Sequence, residues 1–351
     1  MFRFAAILPC LALVLCTVAT GCAGAGDDAD EGASKTPATP AEAAATIDLR
    51  TFPALPKADI RGQSLARVSY DVPGDIKSAA DFYRKEFAAA GWKETPDAYS
   101  SAEYASATFR RAGYKVSLSV MPSVGDDKKG QVNVSLINHG NVKLVELPAP
   151  EGAKELFNSP LSVGYVSELP ADDARAKVKQ LLVAAGWEPY GAAGDSLVMK
   201  QNGVQLNAQV SAAPAQQGKT VIQYSAVQLP ADIPAPPDAE GIHFSDTPTQ
   251  LSLDMAMPLK EADAWYRERL AKDGWEATTE NPIKTDFRYF VIFRNKPMDL
   301  IEITYTPIDE KTRLLVRYQT AAEVEEMDRR LKEEIEKKKR ELEKEKEKAA
   351  K

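Results

Sequence analysis

The chain has 351 residues, enough for about two or three domains, and its composition is that of a globular protein. Its 51 acidic and 44 basic residues leave a net charge of −7, which gives no reason to expect nucleic-acid binding. All three cysteines lie within the first 22 residues, so the rest of the chain can form neither a disulfide nor a cysteine-ligated metal site.

The amino terminus has the pattern of an export signal. A basic start is followed by the apolar run Phe4 to Val18 and by the small residues Ala19-Thr-Gly-Cys22. This segment resembles the lipobox signal of bacterial lipoproteins, although Ala19 replaces the commoner Leu. The resemblance implies that residues 1–21 are removed and that Cys22 carries a lipid. The residues alone also allow an ordinary secretory signal or a retained membrane helix.

Further implications of the resemblance concern location. A lipid on Cys22 makes the membrane a partner and places the protein in the cell envelope. In lipoproteins of the Gram-negative type, Ala23 after the cysteine implies the outer membrane, with the protein facing the periplasm. Residues 22–47 have almost nothing to bury, and we expect a disordered linker there.

Three stretches, residues 48–147, 148–230 and 231–320, carry the same pattern of strand, helix and three strands. Within the helices the same apolar spacing recurs, with Tyr83, Val178 and Tyr266 at equivalent core positions. We therefore predict an α+β fold of three tandem repeats, each with one helix packed on an antiparallel sheet. The repeats are similar to α+β Gly-Trp repeats of uncharacterised bacterial lipoproteins, a resemblance that implies no activity.

Each predicted helix ends in a Gly-Trp pair. Glycine adopts the left-handed conformation that a helix C′ position requires, and the residue after it makes an apolar contact with the last helical turn. The pairs are therefore interpreted as structural caps: Gly91 and Trp92, Gly186 and Trp187, and Gly274 and Trp275.

Residues 321–351 consist mainly of Glu, Lys and Arg, with acids four residues before bases, which predicts a charged, solvated helix. Met327, Leu331, Ile335 and Leu342 form a thin apolar stripe along it. Two other interpretations stay open. The stripe could form a short coiled coil and make a homo-oligomer, or it could dock onto another protein.

Motifs for chemistry are sparse. Gly194-Asp-Ser-Leu197 resembles the motif of the GDSL hydrolases, but only over four residues, and His243 follows it in a different repeat. We assign no catalytic residue, no metal site and no cofactor. His139 is expected to be an exposed turn residue. Arg110, Lys200 and Arg294 occupy equivalent positions, either as solvated charges or as a basic row for an anionic partner such as a glycan or lipid head group.

These patterns favour a non-catalytic cell-envelope lipoprotein that acts as a binding or scaffolding module for envelope proteins or glycans. One alternative is an envelope hydrolase that uses carboxylates. The other is a structural protein that oligomerises through residues 321–351.

The lipobox resemblance predicts the effect of changing its cysteine. The variant Cys22→Ser has no thiol to acylate, so we expect it to lose lipid labelling and to remain unprocessed or to be released from membranes. Metabolic labelling with a fatty acid and membrane fractionation measure both effects. Unchanged membrane association of Cys22→Ser would contradict the lipoprotein interpretation.

Overall fold

The computed structural model describes residues 36–349, except residues 126–127, 194, 237 and 247. Cys22 and most of the predicted linker lie outside the described residues, as do the side chains of residues 192–193 and 341–349. The described chain confirms the predicted α+β class, with sheet as its larger part. It has five α-helices, α1 (Pro40–Thr46), α2 (Ile76–Ala89), α3 (Ala171–Ala184), α4 (Leu259–Lys272) and α5 (Ala321–Ala349).

The first antiparallel sheet has seven strands in the order β1-β2-β7-β6-β5-β3, and β4 also pairs with β5. Along β6 and β7 every second side chain is buried, because alternate residues of a strand point to opposite faces. Its strands are β1 (Asp59–Gln63), β2 (Arg67–Pro73), β3 (Lys93–Glu94), β4 (Tyr99–Ser100), β5 (Ala105–Arg111), β6 (Tyr114–Pro122) and β7 (Gln131–Asn138).

The second sheet has six strands in the order β10-β11-β12-β13-β9-β8, and the third has seven in the order β14-β15-β20-β19-β18-β16, with β17 pairing with β18. In every sheet the strand before the helix pairs with the last long strand. The strands are β8 (Lys154–Ser159), β9 (Ser162–Ser167), β10 (Glu188–Ala193), β11 (Ser196–Gln201), β12 (Val204–Ala212), β13 (Thr220–Gln228), β14 (Glu240–Ser245), β15 (Gln250–Met255), β16 (Glu276–Ala277), β17 (Ile283–Lys284), β18 (Tyr289–Arg294), β19 (Leu300–Ile308) and β20 (Lys311–Gln319).

Each of α2, α3 and α4 buries a narrow apolar stripe. In α2, Ala79, Tyr83 and Phe87 are no more than 2% exposed and belong to the same core as the first sheet. Their spacing of four residues keeps them on one face of the helix. Burying each aromatic ring contributes about 1.5–3 kcal/mol. Tyr266 of α4 is also fully buried, so the core assignment of both tyrosines is confirmed.

The three Gly-Trp pairs lie at the ends of these helices in one geometry. Gly91, Gly186 and Gly274 have φ values of +78°, +90° and +80°. Each tryptophan amide bonds the carbonyl five residues back, at 2.9 to 3.1 Å, and each glycine amide bonds the carbonyl three residues back. This pair of bonds is the Schellman motif. Trp92 and Trp187 are buried, whereas Trp275 is half-buried against Tyr318.

The predicted strand order is incomplete. Each sheet has a further strand before the one that was predicted, namely β1, β8 and β14. One or two unpredicted strands also follow each helix, namely β3 and β4, β10, and β16 and β17. At least half of the residues of β1, β8 and β14 are exposed, and each of these edge strands has a break in its register. They therefore lack the alternation of apolar and polar residues by which a half-buried strand is recognised.

The prediction of a disordered linker is wrong for residues 36–47. Thr39 and Glu42 form a capping box at the start of α1, and Ala43 and Ile47 are buried in the first core. Next to α1, the Ala38 amide bonds Asn141 Oδ1 at 2.9 Å, and its carbonyl accepts the Gly203 amide at 3.1 Å. This segment is held by the first and second sheets, so tertiary contacts order a composition that is polar and rich in alanine.

Candidate functional site

The GDSL-like motif and His243 do not form a catalytic pair. Ser196 begins β11 of the second sheet, whereas His243 is exposed on β14, at the edge of the third. Among the described residues no hydrogen bond joins the two side chains. A serine nucleophile needs a base within about 3 Å, and the described geometry does not pair Ser196 with His243 in that way.

The basic row does not exist as a solvated surface. Lys200 is 2% exposed, its ammonium pairs with Asp232, and it lies 5.4 Å from the ring centre of Tyr190. Only Arg110 and Arg294 keep partial exposure. Burial of a lysine needs such a partner, because an unpaired ammonium in the interior is costly. Lys200 thus fastens β11 to the segment that leads into the third sheet.

His139 is not an exposed turn residue. Its Nδ1 lies 2.9 Å from the carbonyl of Ala226, in the second sheet, and its Nε2 lies 2.8 Å from Ser117 Oγ, in the first. Burial, with smaller contributions from Lys115 and Arg67, lowers the pKa of His139 to about 4. The neutral ring therefore donates from Nδ1 and accepts at Nε2, which joins the two sheets.

An open groove of about 880 Å³ lies beside the start of α5, and we call it the α5 groove. It is built from three parts of the chain that are far apart in sequence. The lining residues are Asp48, Arg50 and Thr51 after α1; Pro297 and Asp299 between β18 and β19; and Tyr318, Gln319, Thr320, Ala321, Ala322, Glu323, Glu326, Met327 and Arg330 around the start of α5.

Asp299 fixes the helix that forms one wall of the groove. Its Oδ1 accepts the Ala321 amide at 2.9 Å, and its Oδ2 accepts the Tyr318 hydroxyl at 3.1 Å. Thr320 and Glu323 add a capping box, which satisfies further amides of the first turn. Burial and the Asp299 carboxylate raise the pKa of Tyr318, so its hydroxyl stays protonated as a donor.

Arg50 forms the opposite rim. Its Nε and Nη2 bind both oxygens of Asp48, at 2.9 and 2.7 Å, a bidentate geometry that fixes the guanidinium. This contact, opposed by partial burial, raises the pKa of Arg50, with smaller contributions from Tyr318 and Glu323. The segment 48–51, which precedes the first sheet, therefore faces the third sheet and α5 across the groove.

The α5 groove combines apolar and charged side chains. Pro297, Tyr318 and Met327 supply apolar area, while the lining has four acidic and two basic side chains. Arg50 is held by Asp48 and Arg330 by Glu326, at 2.6 Å between Nε and Oε1. With four carboxylates against two guanidiniums, the lining has an excess of negative charge.

The two most deeply buried carboxylates are held by hydrogen bonds and ion pairs. Within the described ranges, the buried carboxylates are Asp71 and Asp263. Burial opposes ionisation of Asp71, but hydrogen bonds from Ser123 and Asn133, with Arg61 and Lys128, lower its pKa to about 2. Asp263 accepts from Arg267 at 2.8 Å and from Tyr305. A general acid needs a raised pKa, which the Asp71 environment does not provide.

The described residues contain no group of three His, Cys, Asp or Glu that could hold a metal ion. No helix in the described part of the chain is long and apolar enough to cross a membrane. Comparison with known proteins found no match to a protein family, a curated protein or a solved structure.

The His139 junction makes stability depend on pH. The folded state lowers the pKa of His139 from an ordinary 6.5 to about 4, so it favours the neutral ring. The contribution of the neutral ring to the free energy of unfolding is fully present above pH 6.5 and is lost as the pH falls through 4. We expect a loss of up to about 3 kcal/mol of unfolding free energy from this group between those limits. Urea unfolding at a series of pH values measures it.

The matched variant is His139→Gln, which keeps a donor and an acceptor but does not titrate. Its stability relative to the parent chain should rise as the pH is lowered from 6.5 to 4, because other groups titrate equally in both chains. A constant difference between the two chains over this range would show that His139 is not held neutral at the junction.

Proposed function

We propose that the chain is a non-catalytic, lipid-anchored protein of the cell envelope that binds a partner protein segment in the α5 groove. The observation that carries the proposal is the groove itself, with apolar walls from separate parts of the chain and an excess of negative charge at its rim. Such a surface suits a peptide segment that has an apolar side chain flanked by Lys or Arg.

The anchor and the folded part are compatible in length. Thr36 is fourteen residues after Cys22, so an extended chain between them spans at most about 50 Å. The Pro37 carbonyl accepts from Asn202 Nδ2 at 2.8 Å, close to the contacts of Ala38 with both sheets. A lipid on Cys22 would therefore hold the junction of the first and second sheets within that distance of the membrane, at the outer membrane and facing the periplasm in a Gram-negative cell.

We further propose that the three sheets with their helices are copies of one unit, a helix packed on an antiparallel sheet. The three Schellman caps support this, and so do details that recur in the first and third sheets. Thr95 bonds the Thr108 carbonyl through both its amide and its hydroxyl, and Thr278 does the same to Ile292. Function then resides where the copies meet, because each copy alone has a structural explanation for its shared residues.

Site-specific photocrosslinking in the intact envelope tests the binding proposal. A photoreactive amino acid is placed at Ala322, which is exposed in the α5 groove, and at Val183, which is exposed on α3, as the control. We expect one discrete adduct from position 322 and none from position 183, with mass spectrometry identifying the partner.

The charge of the groove supplies a second readout. The variant Glu326→Gln removes a partly exposed rim carboxylate, and surface ion pairs contribute little to stability, so the fold should persist. It should lower the yield of the adduct from position 322, as should added salt. Equal adducts at both positions, or no adduct at position 322, would contradict binding in the groove.

A further inference from the structure

The first and third sheets touch through two turns, and we call this the Asp246 contact. Arg67 is the first residue of β2, and Asp246 directly follows β14. Arg67 Nε lies 3.5 Å from Asp246 Oδ2, which is longer than a good hydrogen bond. Ser64, in the turn before β2, also favours the ionised form of Asp246. The contact therefore joins the turn before β2 to the turn after β14.

On the side of the first sheet, the turn is bonded to one rim of the α5 groove. The Leu65 carbonyl accepts the Leu49 amide at 3.1 Å, and Gln63 Nε2 donates to the Arg50 carbonyl at 2.6 Å. These bonds hold the segment 48–51, which lines the groove. The position of this rim therefore depends on the turn that carries Ser64 and Arg67.

On the side of the third sheet, the turn is bonded to the opposite wall. The Thr249 hydroxyl donates to the Asp246 carbonyl at 3.0 Å, and the Thr249 carbonyl accepts the Tyr318 amide at 3.0 Å. Tyr318 lines the groove and is held by Asp299, which also accepts the first amide of α5. The Asp246 contact thus joins two turns that are each bonded to a different wall of the groove.

The Asp246 carboxylate is poorly compensated for its burial. Its side chain is 22% exposed, and its Oδ1 is buried without a hydrogen-bond donor among the described residues. Arg67, which supplies the facing charge, is 46% exposed and so pairs weakly. Burial raises the pKa of Asp246, although Ser64 and Arg67 oppose this shift. A charged carboxylate in this place gains hydration when the two turns separate, and a neutral side chain gains less.

We propose that Asp246 positions the two walls of the α5 groove, and that its negative charge holds them less tightly than a neutral side chain would. Separation of the turns returns the carboxylate to water and moves the rim at Arg50 away from the wall at Tyr318. The groove then widens to admit a segment. This effect on a bound segment rests on the proposed function, whereas the positions of the two walls do not.

Distances between two spin labels in the purified full chain, without any partner, test the positions of the walls. A ketone-bearing amino acid carries one label at Ala54, before the first sheet, and the other at Lys296, beside Pro297 of the groove; both positions are exposed. Asp246→Asn keeps the shape of the side chain and removes its charge. We expect the distances to become shorter and less widely distributed, whereas a contact that merely stabilised the fold would be loosened by this change.

Two further variants control for charge. Asp254→Asn removes a carboxylate near the far end of β15, where it pairs with Arg313 at 2.8 Å, and should leave the distances unchanged. Arg67→Gln removes the cation from the charged Asp246 and should lengthen the distances, and this effect should disappear when Asp246→Asn is also present. Unchanged or longer distances in Asp246→Asn, or an equal shift in Asp254→Asn, would overturn the proposal.

Photocrosslinking from position 322 in the intact envelope connects the walls to binding. Asp246→Asn should lower the yield of the adduct severalfold, because the groove opens less readily, and Asp254→Asn should not. An adduct of equal yield in the parent chain and in Asp246→Asn would show that Asp246 does not govern the groove. No adduct in the parent chain would instead contradict the proposed function, and the distances would then decide the role of Asp246 by themselves.

Discussion

The reversal of the chain at the end of α2, α3 and α4 is the constraint on which the rest of the structure depends. At each end a glycine in the left-handed region turns the backbone, and the following tryptophan amide returns to the last helical turn. The tryptophan ring then lies over that end of the buried stripe; in the first sheet the centres of the Phe87 and Trp92 rings are 5.6 Å apart. This reversal directs the chain from the end of the helix back to the sheet on which the helix packs.

A second recurring contact ties each sheet to the proline-containing segment that precedes it. The hydroxyls of Tyr83 and Tyr266 donate to the carbonyls of Pro53 and Pro234, at 3.1 Å. The second sheet has Val178 at the equivalent helix position, and there Tyr224 of β13 donates to Pro148 at 2.8 Å. A buried hydroxyl needs a hydrogen-bond acceptor. The donor tyrosine therefore lies on the helix in the first and third sheets and on a strand in the second, but in each sheet it bonds the proline-containing segment.

Regularities along the chain sufficed to predict the α+β class, the core positions of Tyr83 and Tyr266, and the glycines that end the helices. They failed where the deciding contact lies far away in sequence. His139 and Lys200 have the local context of exposed turn residues, but contacts with Ala226 and Asp232 hold them at junctions between sheets. α1 has a capping box that could have been read from Thr39 and Glu42, yet its burial depends on tertiary packing. The α5 groove combines residues 48 and 330, which no local pattern relates.

The central role of the glycine caps is tested most directly at Gly91. An added Cβ there meets nothing within 4 Å, so the effect of Gly91→Ala reports backbone strain alone. We predict a loss of about 1 kcal/mol in urea unfolding for Gly91→Ala, and a smaller loss for Gly91→Asn, because asparagine tolerates the left-handed conformation. Equal stability of the parent chain and both variants would contradict the account.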